Sequence, residues 1–225
     1  GVFRYGNVPA PGSRDIIFYA DGRTASVSVQ MGGDSGFTLA TNGKPDASLQ
    51  RVWFDEPRAD SLKPALASDN ATQALLALIT LAHAPQAREA AVIGHGAGMT
   101  THFLLGSPEM ERVTTIEIEP MMVEAAERFM PANARAYEDP RAVSVINDAR
   151  AYFATANRQF DVIVSEPSNP WVSGVSALFT EEFYGRAAKQ LAPGGVFGQW
   201  LHLYEIEDAL VLGILGYFGI QTTSF

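Results

Sequence analysis

The stretch AAVIGHGAG at residues 90–98 decides how this chain is read. Four apolar residues run into three spaced glycines, Gly94, Gly96 and Gly98, and a helix-compatible segment opens at Thr100. A short apolar run stopped by glycine reads as a buried strand. Glycines directly after it let the backbone turn tightly and come close to a ligand. The same alternation continues downstream. Strands are predicted at 112–117, 142–146, 160–165 and 195–201. Helices are predicted at 100–105, 121–130, 149–156, 180–191 and 206–217, and one more strand begins at 220–225. Strands and helices alternating through short links make parallel βαβ units. The expectation is an α/β fold with a doubly wound, mostly parallel sheet covered on both faces.

Upstream, the pattern changes. A helix is predicted from Ser68 or Asp69 to His83, apolar on most faces and therefore expected to be buried, with His83 packed. Before it, strand candidates at 15–20, 24–30 and 37–41 are separated by Asp21-Gly22, Gly32-Gly33-Asp34 and Asn42-Gly43. Asn42-Gly43 followed by Lys44-Pro45 reads as a tight turn. These signals predict a small antiparallel β domain over 1–63, followed by the larger domain over 64–225.

Composition narrows the function classes. Hydrophobic residues are 47% and charged residues 18% of the 225, an ordinary globular balance. With 16 Lys+Arg against 25 Asp+Glu, the net charge of −9 argues against nucleic-acid binding. The lack of cysteine excludes disulfides, thiolate metal sites and a cysteine nucleophile. The apolar runs at 74–84 and 209–220 are shorter than the ~18 residues of a membrane span. No signal peptide is visible, so a cytoplasmic location is expected. No histidine spacing suggests a metal, and neither G-x-S-x-G nor a Walker sequence occurs.

In an open parallel sheet, ligands bind at the carboxyl ends of the strands. Four elements fall there. Gly94 and Gly96 lie in the first loop, together with His95, which could touch a ligand. The dinucleotide pattern G-x-G-x-x-G is not completed, which disfavours NAD. Glu117 ends the next strand, where an acid can accept both hydroxyls of a ribose. Its neighbour Glu119, before Pro120, reads as a helix-start acid facing the dipole. Asp148 is both a natural N-cap and a candidate acceptor for an adenine amino group. Glu166 ends the fourth strand before a proline-bracketed loop, and a half-desolvated carboxylate there can act as a general base. Glycine loop and Glu117 together point to nucleoside binding.

These elements, in this order behind a small β domain, resemble the spermidine synthase-like family of polyamine aminopropyltransferases. The resemblance runs from about Ile16 to Phe225 and is most specific over 160–184, which contains SEPSNPWVSGVSALFTEEFY. It is similar to a bacterial branch, some of whose members are fused to transmembrane helices. The resemblance implies an N-terminal β domain and a class I methyltransferase-like Rossmann domain. It implies S-adenosylmethionine or decarboxylated S-adenosylmethionine as substrate, methylthioadenosine as product, and no metal. Glu117 matches the family's ribose-binding acid, Asp148-Ala149 its adenine-binding Asp-Gly, and Glu166 its catalytic Asp. Gln73 matches a position beside the sulfonium. A homodimer, and the soluble part of a membrane-fused protein on the cytoplasmic face, are further options it implies.

The departures from the family concern the amine. The family's GGGDGG loop has Ala97 at its acid, its Asp-x-x-Asp ends on Asn169, and its Tyr-(His/Gln)-Glu is Thr72-Gln73-Ala74. A diamine carries two positive charges and favours carboxylates at both ends. The expectation is therefore aminopropyl transfer to an amine other than putrescine, with Asn169 on the substrate side. Alternatives are an S-adenosylmethionine-cleaving lyase or cyclase without an acceptor, a methyltransferase, and a non-catalytic nucleoside sensor. The chain starts at Gly1 and stops where the family adds a final β hairpin, which reads as part of a longer protein.

Overall fold

The first four strands form an antiparallel meander: β1 (Asp15–Asp21), β2 (Ser26–Gly32), β3 (Gly36–Thr41) and β4 (Lys44–Leu49). The computed structural model describes residues 15–32, 36–54, 68–167, 175–201, 211–214 and 216. Val27, Val29, Leu39, Ala47 and Leu49 alternate inward, as a half-buried sheet requires. Asn42 and Gly43 have φ of 50° and 76°, the two positive angles that a tight hairpin turn needs. Sequence reading stopped at this turn and missed β4. Lys44-Pro45 begins a strand instead of closing a loop, because proline is tolerated on an edge strand that has no inner ladder to break.

Helix α1 (Ser68–His83) leads into a second sheet. It contains β5 (Glu89–Ile93), β6 (Arg112–Glu117), β7 (Ala142–Ile146), β8 (Phe160–Ser165) and β9 (Leu191–Gln199). All are parallel, in the order β7-β6-β5-β8-β9. Between them lie α2 (Met99–Leu104), α3 (Pro120–Ala126), α4 (Arg135–Glu138), α5 (Ala149–Thr155) and α6 (Glu181–Gln190). The chain leaves β5 for β6 on one side and returns to β8 on the other. The switch point is thus between β5 and β8, whose residues Ile93 and Ser165 stand in register at the carboxyl edge.

The doubly wound expectation holds, with local corrections. The helix predicted at 121–130 is α3 followed by a 3₁₀ turn over Glu127–Phe129, and α4 was not anticipated. The strand predicted at 195–201 begins at Leu191. Thr180 caps α6 as expected, its hydroxyl accepting from Phe183 N at 3.3 Å. The buried-helix expectation for α1 does not hold all round. Its inward side carries Asn70, Gln73, Ala74, Ala77 and Thr80, while Leu75, Leu78 and Ile79 are about half exposed and His83 faces outward. Small inward residues allow close approach. At Gly198 of β9 a Cβ would lie 2.7 Å from Thr80 Oγ1. Apolarity alone did not reveal which side of the helix met the sheet. The predicted strand at 220–225 and the domain boundary at 63 lie outside the described residues, as does all of the helix 206–217 except 211–214 and 216, which are helical.

The meander sits on the parallel unit through α3. Phe18, Val27, Val29 and Leu39 share one core with Met122, Ala125, Ala126 and Phe129. Asn70 of α1 reinforces this seam. It donates to Ser48 O at 2.8 Å and accepts from Gln50 N and the Trp53 indole at 3.0 and 2.9 Å. Among the described residues no helix is long and apolar enough to cross a membrane.

Candidate nucleoside site

The loop after β5 turns on glycine. Gly94, Gly96 and Gly98 have φ of 91°, 49° and 77°, a region that side chains rarely adopt. At Gly94 the need is double, since a Cβ there would lie 2.9 Å from Glu166 O. Nothing lies within 4 Å of a Cβ built on Gly96, so that face of the loop is open.

Glu117, at the tip of β6, is buried and turned toward this loop. Its Oε2 accepts from His95 N at 2.8 Å and its Oε1 from Glu119 N at 2.9 Å. Burial pushes its carboxyl above the usual range, while the N–H groups of Glu119, His95 and Ile118 pull against that rise. A carboxylate has about four acceptor sites, so three amides leave capacity for a ribose hydroxyl.

Asp148 caps α5, accepting from Arg150 N at 2.7 Å, and pairs with Arg150 Nη2 at 2.7 Å. The Arg150 hydrogen bonds hold its carboxyl below the usual range despite partial burial. Ala149 follows, buried at the start of the helix. Asp148 also lines a cleft of about 330 Å³ with Arg23, Thr24, Ile118, Ile146 and Asn147. Ile118 and Ile146 are 47% and 40% exposed, an apolar wall beside polar strand tips. Exposed isoleucines in a cleft suit a flat apolar face such as a purine.

Glu166 follows β8 and is half-buried. Its N–H donates to Ile93 O at 3.0 Å, and its Oε2 accepts from Thr100 Oγ1 at 2.7 Å. Gln73 lies on α1 with its amide donating to Ser48 O of β4 at 3.2 Å. Glycine loop, Glu117, Asp148-Ala149 and Glu166 therefore share the carboxyl edge of the sheet, and Gln73 belongs to the seam with the meander. Asn169 lies outside the described residues.

Two residues have roles that sequence reading did not find. The ring of His95 packs edge-on against Tyr137, its Nε2 lying 2.9 Å from Tyr137 Oη. Tyr137 gives its own proton to Val123 O at 2.7 Å, so the His95 Nε2–H donates to Tyr137. Burial holds the His95 pKa down at about 4, so the ring is neutral near pH 7. Glu119 caps α3 through Met121 N, as an acid before a helix should. Its Oε2 also accepts from Thr24 N, Thr24 Oγ1 and Ala25 N at 2.6, 2.8 and 3.3 Å. It thereby pins the β1–β2 turn to the cleft, and a Cβ on Gly22 would collide with its carboxylate. No local signal in the sequence links residues separated by 95 positions. Among the described residues no group of three or more His, Cys, Asp or Glu could hold a metal ion.

A family model described as the spermine/spermidine synthase domain matches residues 69–215, which include Gln73, the glycine loop, Glu117, Asp148-Ala149 and Glu166. The chain belongs to the spermine/spermidine synthase domain family. It is 38% identical over 117 residues to a polyamine aminopropyltransferase of Nitrosomonas europaea, covering 52% of this chain and 35% of that protein. It is 33% identical over 144 residues to a spermidine synthase of Coffea arabica, covering 61% and 45%. It is 30% identical over 138 residues to putrescine N-methyltransferase 2 of Nicotiana attenuata, covering 59% and 37%. The matches thus span between a third and a half of these relatives. A spermidine synthase solved in complex with the transition state analogue AdoDATO superposes with a TM-score of 0.70 at 22% identity, covering 92% of this chain and 62% of that one. The spermidine synthase of Thermotoga maritima gives 0.68 at 22% identity, covering 92% and 61%. The fold is that of these enzymes: a methyltransferase-like parallel sheet behind an antiparallel one.

Proposed function

We propose that this chain binds a sulfonium nucleoside, decarboxylated S-adenosylmethionine or S-adenosylmethionine, and transfers an aminopropyl group to an amine other than putrescine. Methylthioadenosine is the second product. The observation that supports this reading is the row of acids at the tips of β6, β7 and β8 around an open glycine loop, in a chain of this family. Glu117 would receive a ribose hydroxyl and Asp148, with Ala149, the adenine edge. The adenine face would lie against Ile118 and Ile146. Gly94 and Gly96 would let the loop backbone approach the ligand, with Gln73 on the sulfonium side and Asn169 toward the amine.

The chemistry is one displacement. The amine nitrogen forms a bond to the carbon beside the sulfonium, the carbon–sulfur bond breaks, and its electron pair neutralises the sulfur. Glu166 takes the proton that the attacking nitrogen must lose. The sulfonium is already a good leaving group, so holding the reactants in line contributes most of the remaining acceleration.

Methyl transfer is the second reading, favoured by the similarity to putrescine N-methyltransferases over 138 residues. Product analysis separates the two. The protein is incubated with each sulfonium compound, with and without putrescine, cadaverine and spermidine, and the products are weighed by mass spectrometry. Methylthioadenosine with an aminopropylated amine is expected. A methylated amine would establish the second reading instead. Methylthioadenosine formed without amine would indicate cleavage, and no product with any pair would overturn the proposal.

A further inference from the structure

We infer that Thr100 is a positioning residue that holds the Glu166 carboxylate in its working orientation. The inference rests on the functional reading above and concerns a contact between two residues 66 apart in sequence. Thr100 lies in the first turn of α2, directly beyond the glycine loop, and is 3% exposed. Its Oγ1 donates to Glu166 Oε2 at 2.7 Å, the length of a strong hydrogen bond to a charged oxygen.

The backbone around this contact leaves little freedom. Glu166 N is bonded to Ile93 O, and Glu166 O lies against Gly94, where a Cβ would be 2.9 Å away. Glu166 follows β8 and Thr100 opens the helix after β5, and these two neighbouring strands pair in register up to Ile93 and Ser165. Thr100 is buried in the first turn of its helix, so packing holds its hydroxyl against that helix.

Glutamate needs such a donor more than aspartate would. Its extra methylene adds a rotatable bond, and a base must lie within hydrogen-bond reach of the proton it takes. A glutamate side chain has three torsions over which its carboxylate can be distributed. Tying one oxygen to α2 fixes the plane of the group relative to the glycine loop. The change from the family's Asp to Glu166 and the hydroxyl at Thr100 thus form one unit: the longer acid spans the turn and the hydroxyl receives it.

The test compares Thr100→Val, which keeps the shape and removes the donor, with Thr100→Ser, which keeps the donor, and with Glu166→Gln. Turnover is read as methylthioadenosine released from decarboxylated S-adenosylmethionine with putrescine, cadaverine or spermidine. Thr100→Val should lower kcat by about 10- to 100-fold, a loss typical of a misplaced reacting group. The KM for the sulfonium nucleoside should stay within about twofold, since ribose and adenine are held elsewhere. Thr100→Ser should recover most of kcat. If Glu166→Gln is crippled while Thr100→Val matches the parent, the positioning role is overturned and the catalytic reading stands. If Glu166→Gln matches the parent, the catalytic reading fails and the positioning role falls with it. A second measurement needs no substrate. Urea unfolding of the parent, Thr100→Val, Glu166→Ala and the double variant should show a coupling of at least about tenfold in the unfolding constant, as for a hydrogen bond to a charged group. Additive effects would overturn the contact itself.

Discussion

The two halves of the carboxyl edge hold their acids by different means. At β6 and β7, Glu117 is fixed by the amides of His95 and Glu119, and Asp148 by the Arg150 amide and guanidinium. At β5 and β8, Glu166 is held through a side-chain hydroxyl on the neighbouring helix. Backbone amides, which hold Glu117 and contribute one bond to Asp148, are placed by the fold itself and vary little with sequence, whereas the Arg150 guanidinium is a side chain. A hydroxyl on one residue can be gained or lost by a single substitution. The first arrangement suits a binding surface for a constant ligand part, the nucleoside. The second suits the end at which the proposed displacement would take place. The difference teaches that binding and chemistry in this site should be separable by mutation.

The largest effect should fall on the reacting half. Glu166→Gln keeps the size of the side chain but cannot accept the proton, and should lower methylthioadenosine release by about 10²- to 10⁴-fold. Methylthioadenosine affinity, measured by calorimetry, should change less than about twofold, because the proposed function assigns ribose and adenine to β6 and β7. A variant that loses affinity and turnover together would erase the distinction between the halves.

Next should come the nucleoside half. Glu117→Ala removes a charged acceptor and should weaken methylthioadenosine binding by about 1.5–3 kcal/mol. Circular dichroism must show the variant folded. Binding at the parent's strength would move the nucleoside away from β6.

Glu119, two residues on, should report on stability instead of binding. Burial opposes its charge, but the donors from Thr24, Met121 and Ala25 outweigh it and hold its carboxyl below the usual range. A group with a lowered folded pKa stabilises the fold above its unfolded pKa of about 4.3, and that contribution fades as pH falls through the folded value. Glu119→Ala should therefore cost about 2 kcal/mol in urea unfolding at pH 7. The difference from the parent should shrink as the pH drops below about 4. A cost that is constant from pH 7 to pH 3 would show that the carboxylate does not act through its charge.

The smallest effect should be a gain. Asn169→Asp returns one carboxylate of the family's pattern toward a diamine, whereas Ala97 is buried in the core between the meander and α3, where an added acid would be desolvated. Aminopropyl transfer to putrescine should rise by about tenfold, the order of one charged hydrogen bond, as measured by spermidine formation. An efficient parent enzyme with putrescine would show that the missing acids do not govern the acceptor.

Much of the site was legible because strand tips can be read locally. An apolar run ending in glycine or an acid marks where the chain leaves a parallel sheet, and the chain's own order brings such tips to one edge. That logic puts the glycine loop, Glu117, Asp148 and Glu166 at strand ends, and the strands end there in the structure. β4 was missed because Lys44-Pro45 carries turn chemistry that an edge strand tolerates. α1 was misjudged because small inward residues pack as well as large ones, and composition does not show which face meets the sheet.

The sequence by itself determined the alternation of elements, the parallel sheet and the acids at its carboxyl edge, because these follow from periodicity and from glycine, proline and capping residues within a few positions. Tertiary structure alone decided the partners. Glu119 proved to hold the β1–β2 turn, His95 to bond Tyr137, and Glu166 to meet Thr100. Each of these contacts joins residues at least 42 positions apart. A hydrogen bond depends on distances of a few ångströms, and only the packing of helices on the sheet brings such distant donors and acceptors within reach.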